Sequence, residues 1–195
     1  ESEETNGLVH ILEHYILFRG TELRSGKEII QNIRQHGAYF NAHTGYDIAL
    51  FELALPSEHI NFALENQKDI LFNLKITQEK LDEEKQIILE ELNRLQDNPI
   101  QYAISLAYQN LFNDHPYQRP IPGKKEIIEA ATAEQLEKFY REYFVTNNCI
   151  MAIVGDIDVE EVEEKIRETF GDLEKGHAIP AEFEIQRRHR DRAVV

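Results

Sequence analysis

Gly7-Leu8-Val9-His10-Ile11-Leu12-Glu13-His14-Tyr15 is the stretch from which the rest of the chain is read. Residues three and four apart share a helix face, so a helix here sets His10, Glu13 and His14 side by side. His10-Ile-Leu-Glu-His14 is H-x-x-E-H, the inverted form of the H-E-x-x-H zinc helix. The residue types suit that chemistry. Neutral imidazoles are good Zn²⁺ ligands, and a catalytic zinc site keeps one position for water. A nearby carboxylate that is not a ligand can take a proton from that water. Five residues also recur by chance, and an amphipathic surface helix carrying two histidines has the same pattern. A third ligand has to decide between the two readings.

A long predicted helix after Thr77 supplies candidates. Taken at about 100° per residue, Leu81, Ile88, Leu92 and Leu95 form one apolar stripe. Glu84 and Glu91, seven apart, fall together on the flank of that stripe, whereas Glu83 and Glu90 fall on the solvent side. A carboxylate turned toward a core is costly unless it is paired or bound to a metal. Glu91 is therefore the better ligand, with Glu84 a carboxylate that supports one. Two partly exposed glutamates on an acidic helix would fit the same spacing.

The 195 residues suit one domain, and 42% hydrophobic with 29% charged residues is an ordinary soluble globular composition. The net charge of −15 disfavours nucleic acid, whose phosphates want a basic face, and fits a preference for basic peptides. Cys149 is the single cysteine, so no internal disulfide exists and a metal would fall to histidines and carboxylates. Apolar runs are far too short for a membrane span. No signal peptide is visible, and a cytoplasmic location is expected before a periplasmic or exported one.

Along the chain, the motif helix is expected to end at Arg19-Gly20-Thr21, with Gly20 just past its last turn. Ser25 and Glu28 form a capping box for a second helix that stops at Gly37. Ala38 to Thr44 and Asp47 to Leu55 read as strands joined by a turn at Gly45, the second alternating through Ile48, Leu50 or Phe51, Leu53 and Leu55. Ser57 is expected to cap a helix to about Leu74. Pro99 ends the long helix and starts another, Asn113 to Gly123 is a loop, and Thr132 with Gln135 forms a second capping box. Cys149 to Val154, an unbroken apolar run, is expected to be a buried strand, followed by a helix through Val162 and Phe170. Arg187 to Arg192 form a basic tail, and runs of this kind are mostly solvated.

His10-Ile-Leu-Glu-His14 followed by Phe18-Arg-Gly-Thr21 resembles the signature of the pitrilysin (insulinase) family of zinc peptidases, the processing-peptidase branch being closest in style. Glu84-Lys-Gln-Ile-Ile-Leu-Glu-Glu91 resembles the downstream acidic helix of that family. Gly37-Ala-Tyr-Phe-Asn41-Ala-His-Thr44 resembles its edge strand beside the zinc, and Phe139 to Phe144 and Val154-Gly-Asp156 resemble its later helix and core strand. The resemblance implies Zn²⁺ held by His10, His14 and Glu91, with Glu13 as general base and then proton donor and Glu84 in support. It implies an α+β fold, a two-layer sandwich with a largely antiparallel sheet packed against helices. An edge strand can take an extended peptide as an added strand, and Asn41 and Ala42 are the candidates for that contact. A turn-proximal polar residue is the plainer account of Asn41.

The family pattern also implies departures. One extra residue separates His14 from Arg-Gly-Thr, so a bulge or longer loop is expected there. The opening strands of the family should precede Glu1, and residues 1–195 then form one catalytic-half domain without them. A second homologous half or partner subunit is expected to supply an arginine and a tyrosine that hold the peptide or protein substrate. The residues alone are accordingly expected to hydrolyse peptides poorly. Two other classes stay open: a non-catalytic partner subunit or scaffold of the same fold, and an acidic peptide-binding module without metal. A scaffold has no use for a full ligand set, which argues against the first.

Overall fold

In the computed structural model, residues 1–112 and 115–177 are described. The central element is α1 (Leu8–Phe18), whose Ile11, Leu12, Tyr15 and Ile16 are almost wholly buried. It packs against α2 (Gly26–Gln35), β1 (Tyr39–Thr44), α3 (Ile60–Phe72), α4 (Gln78–Asp97) and α7 (Ala133–Tyr143). The remaining elements are β2 (Ala49–Ala54), α5 (Pro99–Leu111), α6 (Lys125–Ala130) and α8 (Val159–Phe170). An antiparallel hairpin thus lies on a layer of helices, an α+β architecture.

In the hairpin, Phe40 faces Leu53, Ala42 faces Phe51 and Thr44 faces Ala49, so these pairs share the inner side. Asn41–Glu52 and His43–Leu50 look outward. This settles the phase of the second strand: Phe51 and Leu53 turn inward, while Leu50 and Ile48 are exposed. The turn is closed by the Gly45 N–H donating to the Ile48 carbonyl at 2.8 Å. Among the described residues β1 pairs with β2 alone, which leaves its other edge open.

Both capping boxes form, at Ser25–Glu28 and Thr132–Gln135. Gly20, at φ +85°, follows the C-cap Arg19, a conformation costly for any residue with a Cβ. Three expectations are corrected. The extra residue after His14 makes no bulge, because α1 runs unbroken to Phe18 and absorbs it as helix. Ser57 caps nothing; it opens a 3₁₀ turn to His59, and α3 begins at Ile60 without a side-chain cap and ends at Phe72. Leu74 instead bridges to Thr21. Cys149 to Val154 forms no paired strand and is not buried, with Ile150 99% and Val154 97% exposed. No strand among the described residues lies beside it to take its backbone hydrogen bonds. The basic tail Arg187 to Arg192 lies outside the described residues. No helix among the described residues is long and apolar enough to cross a membrane.

Candidate metal centre

Two helices bring the candidate residues together. α1 offers His10 and His14 one turn apart, their rings 4.8 Å between centroids. α4 crosses beside them, and its start is set by Tyr15, whose hydroxyl donates to the Lys75 carbonyl at 2.9 Å and accepts from the Thr77 N–H at 2.8 Å. Seven residues apart on that helix, Leu81 and Ile88 bury completely. This phase leaves Glu84 fully buried and the Glu91 side chain partly exposed on the same flank. Glu90 points to solvent and pairs with Arg94.

His10, His14 and Glu91 each present one donor atom, and the three atoms lie within 4.8 Å of one another. Glu91 Oε2 is 3.5 Å from His14 Nε2 and 3.8 Å from His10 Nε2. Ligands held at about 2.0–2.1 Å by a tetrahedral Zn²⁺ stand about 3.3 Å apart, so a modest closing-in would seat the ion. Two imidazoles and one carboxylate, with a position left for water, are also the donor types of catalytic zinc sites. The residues present fit the metal.

The two histidines sit in different electrostatic settings. Burial and then the neighbouring His14 push His10 down to about 4, which keeps it neutral and able to ligate at physiological pH. Its Nδ1 is buried with no partner in hydrogen-bonding geometry, although the Pro122 backbone lies on that side. Burial also pulls His14 down, but the hydrogen bond to Glu84 and the charges of Glu91 and Glu13 outweigh it and hold its pKa up. Glu84 shows the matching balance: burial raises it, while His14 and Arg19 together bring it below the usual carboxylate value.

Glu13 is buried on α1 beside the imidazoles, and the Thr44 hydroxyl donates to its Oε2 from the inner face of β1. Thr44 ties the hairpin to the motif helix. Sequence periodicity marks neither its partner nor its role, since the two residues are 31 apart. Arg19 is the other residue that spacing did not single out: its Nε donates to Glu84 Oε1 at 2.5 Å and its Nη1 to Glu83. Asn41 is exposed and Ala42 buried on β1, with Thr44 and its tie to Glu13 farther along the same strand. On the other side, Gly7 and Gly123 meet backbone to backbone; a Cβ on Gly123 would come 2.5 Å from the Gly7 Cα. That contact seats the loop before α6 against the start of α1.

Residues 1–125 match the family described as insulinase (peptidase family M16), and residues 130–195 match the peptidase M16 inactive domain. An uncharacterized zinc protease of Rickettsia bellii is 32% identical over 186 residues, which is 94% of this chain and 45% of that protein. A probable mitochondrial-processing peptidase subunit beta of Arabidopsis thaliana is 28% identical over 89% of this chain and 32% of its own length. Among solved structures, a protease from Helicobacter pylori superposes with a TM-score of 0.86 at 26% identity, covering 94% of this chain and 44% of that one. The chain spans less than half the length of these relatives.

Proposed function

The chain belongs to the insulinase family of peptidases, M16, and from that premise we propose that it is the metal-binding part of a zinc metalloendopeptidase. The observation that carries this reading is the convergence of three donor atoms from His10, His14 and Glu91 beside the buried Glu13. Zinc, when bound, supplies a Lewis acid that lowers the pKa of a water to about 7. Glu13 is the general base: Thr44 occupies its Oε2, and Oε1 is left to take the proton of the attacking water and later return it to the leaving amine. Glu84 holds His14 through Nδ1 and touches no reacting atom.

The substrate is a peptide in extended form, laid along the open edge of β1 near Asn41 and Ala42. Donors that hold the carbonyl and stabilise its developing negative charge come from a second, homologous half or a partner subunit, on the same chain or another. A non-catalytic reading draws on the match of residues 130–195 to a domain described as inactive. The ligand set and Glu13 all lie within residues 1–125, which favours the catalytic one.

Metal analysis of the purified chain tests the proposal. Near-equimolar zinc is expected, lost in Glu91→Gln and kept in Glu90→Gln; the reverse pattern would put the wrong face of α4 at the site. In an active assembly Glu13→Gln is expected to keep zinc and to abolish hydrolysis. Substantial turnover by that variant would remove Glu13 from the base role.

A further inference from the structure

We propose that Arg19 is a positioning residue of this site: bridging Glu83 and Glu84, it holds the Glu84 carboxylate in the orientation that decides which nitrogen of neutral His14 carries the proton. The inference rests on the zinc reading above. Glu84 has no exposure to water, so its orientation is set by protein groups alone. It makes one hydrogen bond with each oxygen, Oε1 accepting from Arg19 Nε and Oε2 facing His14 Nδ1 at 3.2 Å. Across the ring, His14 Nε2 faces Glu91 Oε2 at 3.5 Å. With Nδ1–H donating to Glu84, the Nε2 lone pair points into the ligand cluster and can bind a metal. If Glu84 turned away, the other tautomer could donate from Nε2 to Glu91, and that nitrogen could no longer ligate.

Arg19 is well placed to prevent the turn. It is the C-cap of α1, its N–H donating to the Tyr15 carbonyl at 2.9 Å and its own carbonyl accepting from Lys80 Nζ at 2.6 Å. Its backbone is thereby tied to both helices of the site. The guanidinium spans two successive carboxylates of α4, one buried and one exposed, and so cannot swing with Glu84. Among the described residues it is the one Lys or Arg paired with Glu13, Glu84 or Glu91. Lysine, with a single ammonium on a flexible stem, would not reproduce the fork.

The test uses the 195-residue chain and its Arg19→Gln and Arg19→Lys variants, with two readouts. One is zinc affinity by competition with a chelator; the other is the His14 tautomer in metal-free protein, read by ¹⁵N-resolved NMR at alkaline pH, where the imidazole is neutral. Arg19→Gln is expected to bind zinc roughly 10- to 100-fold more weakly, as loss of a supporting partner typically does. It should also populate the Nε2–H tautomer of His14, which a merely destabilised but correctly arranged site would not do. If Arg19→Gln does not fold, Arg19→Lys carries the test, with a smaller loss and a visible second tautomer expected. Zinc affinity and a single Nδ1–H tautomer unchanged from the parent chain in the folded variant would overturn the proposal while leaving the zinc reading intact. No zinc uptake by the parent chain would instead overturn the reading on which both rest.

Discussion

Ile88 on α4 and Ile150 after α7 have the same side chain and apolar neighbours in sequence, yet the first is fully buried and the second 99% exposed. The difference lies in where each backbone finds its hydrogen bonds. α4 closes its own ladder, so once formed it needs only neighbours for its apolar stripe, and α1 and α6 provide them. Cys149 to Val154 forms no helix and so closes no ladder of its own; as a strand it could satisfy its N–H and C=O groups only by borrowing another strand. Among the described residues no strand reaches it. The flanking helices are not loose in the same way: α8 packs on α3, with Phe170 edge-on to Phe72 and Lys165 donating to Asn61. The candidate metal ligands His10, His14 and Glu91 sit wholly in the first kind of region, on two self-sufficient helices.

The contrast is tested most directly by truncating both isoleucines. Ile88→Ala is expected to destabilise the chain by about 2–5 kcal/mol, since removing buried methylenes leaves a cavity under α1. Ile150→Ala should stay within about 0.5 kcal/mol, the usual range for an exposed position. Urea unfolding followed by circular dichroism measures both. A cost for Ile150→Ala comparable to that of Ile88→Ala would mean that the apolar stretch is covered in solution, and the comparison would break.

The same distinction explains what could be read from residues alone. His10, Glu13 and His14 are legible because four residues on a helix fix their relation, and Glu84 and Glu91 because seven residues do. The capping boxes at Ser25 and Thr132 are equally local. What escaped is long in sequence separation. The tie from Thr44 to Glu13 spans 31 residues and that from Arg19 to Glu84 spans 65. Alternation alone allows either Leu50 or Phe51 to face inward, and cross-strand pairing sets Phe51 against Ala42. For Cys149 to Val154, hydrophobicity announces a buried strand, but a strand's burial is a property of its partners.

Tyr140 on α7 is buried, its hydroxyl donating to the Leu71 carbonyl at 3.0 Å and accepting from the Leu74 N–H at 3.3 Å. Burial pushes its pKa up to about 12. The folded state therefore holds the proton more tightly than the unfolded chain, where tyrosine titrates near 10. The stability from this group is complete below pH about 10 and is lost as pH rises toward about 12, on the order of 2–3 kcal/mol in all. Tyr140→Phe should abolish that alkaline decline and leave the Leu74 N–H unpaired, costing about 1–3 kcal/mol at neutral pH. Unfolding measured between pH 8 and about 11.5 compares the two chains. An identical alkaline slope in the variant would show that Tyr140 is not sealed between α7 and α3.

The smallest effect repeats the contrast with two serines. Ser25 accepts from the Glu28 N–H at 3.3 Å, and the Glu28 carboxylate accepts in return from the Ser25 N–H at 2.8 Å, closing two of the free donors at the start of α2. Ser57 stands before a helix too, but the chain enters a 3₁₀ turn and its side chain makes no cap bond. Ser25→Ala is expected to cost about 1 kcal/mol, the usual cost of a lost N-cap. Ser57→Ala should change stability by no more than a few tenths, and alanine could even extend the turn into α3. Thermal unfolding of a chain this size resolves 1 kcal/mol as a shift of about 2–4 °C. Equal shifts for the two variants would mean that Ser57 caps α3 in solution, and that the local signal is honoured at both places rather than at one.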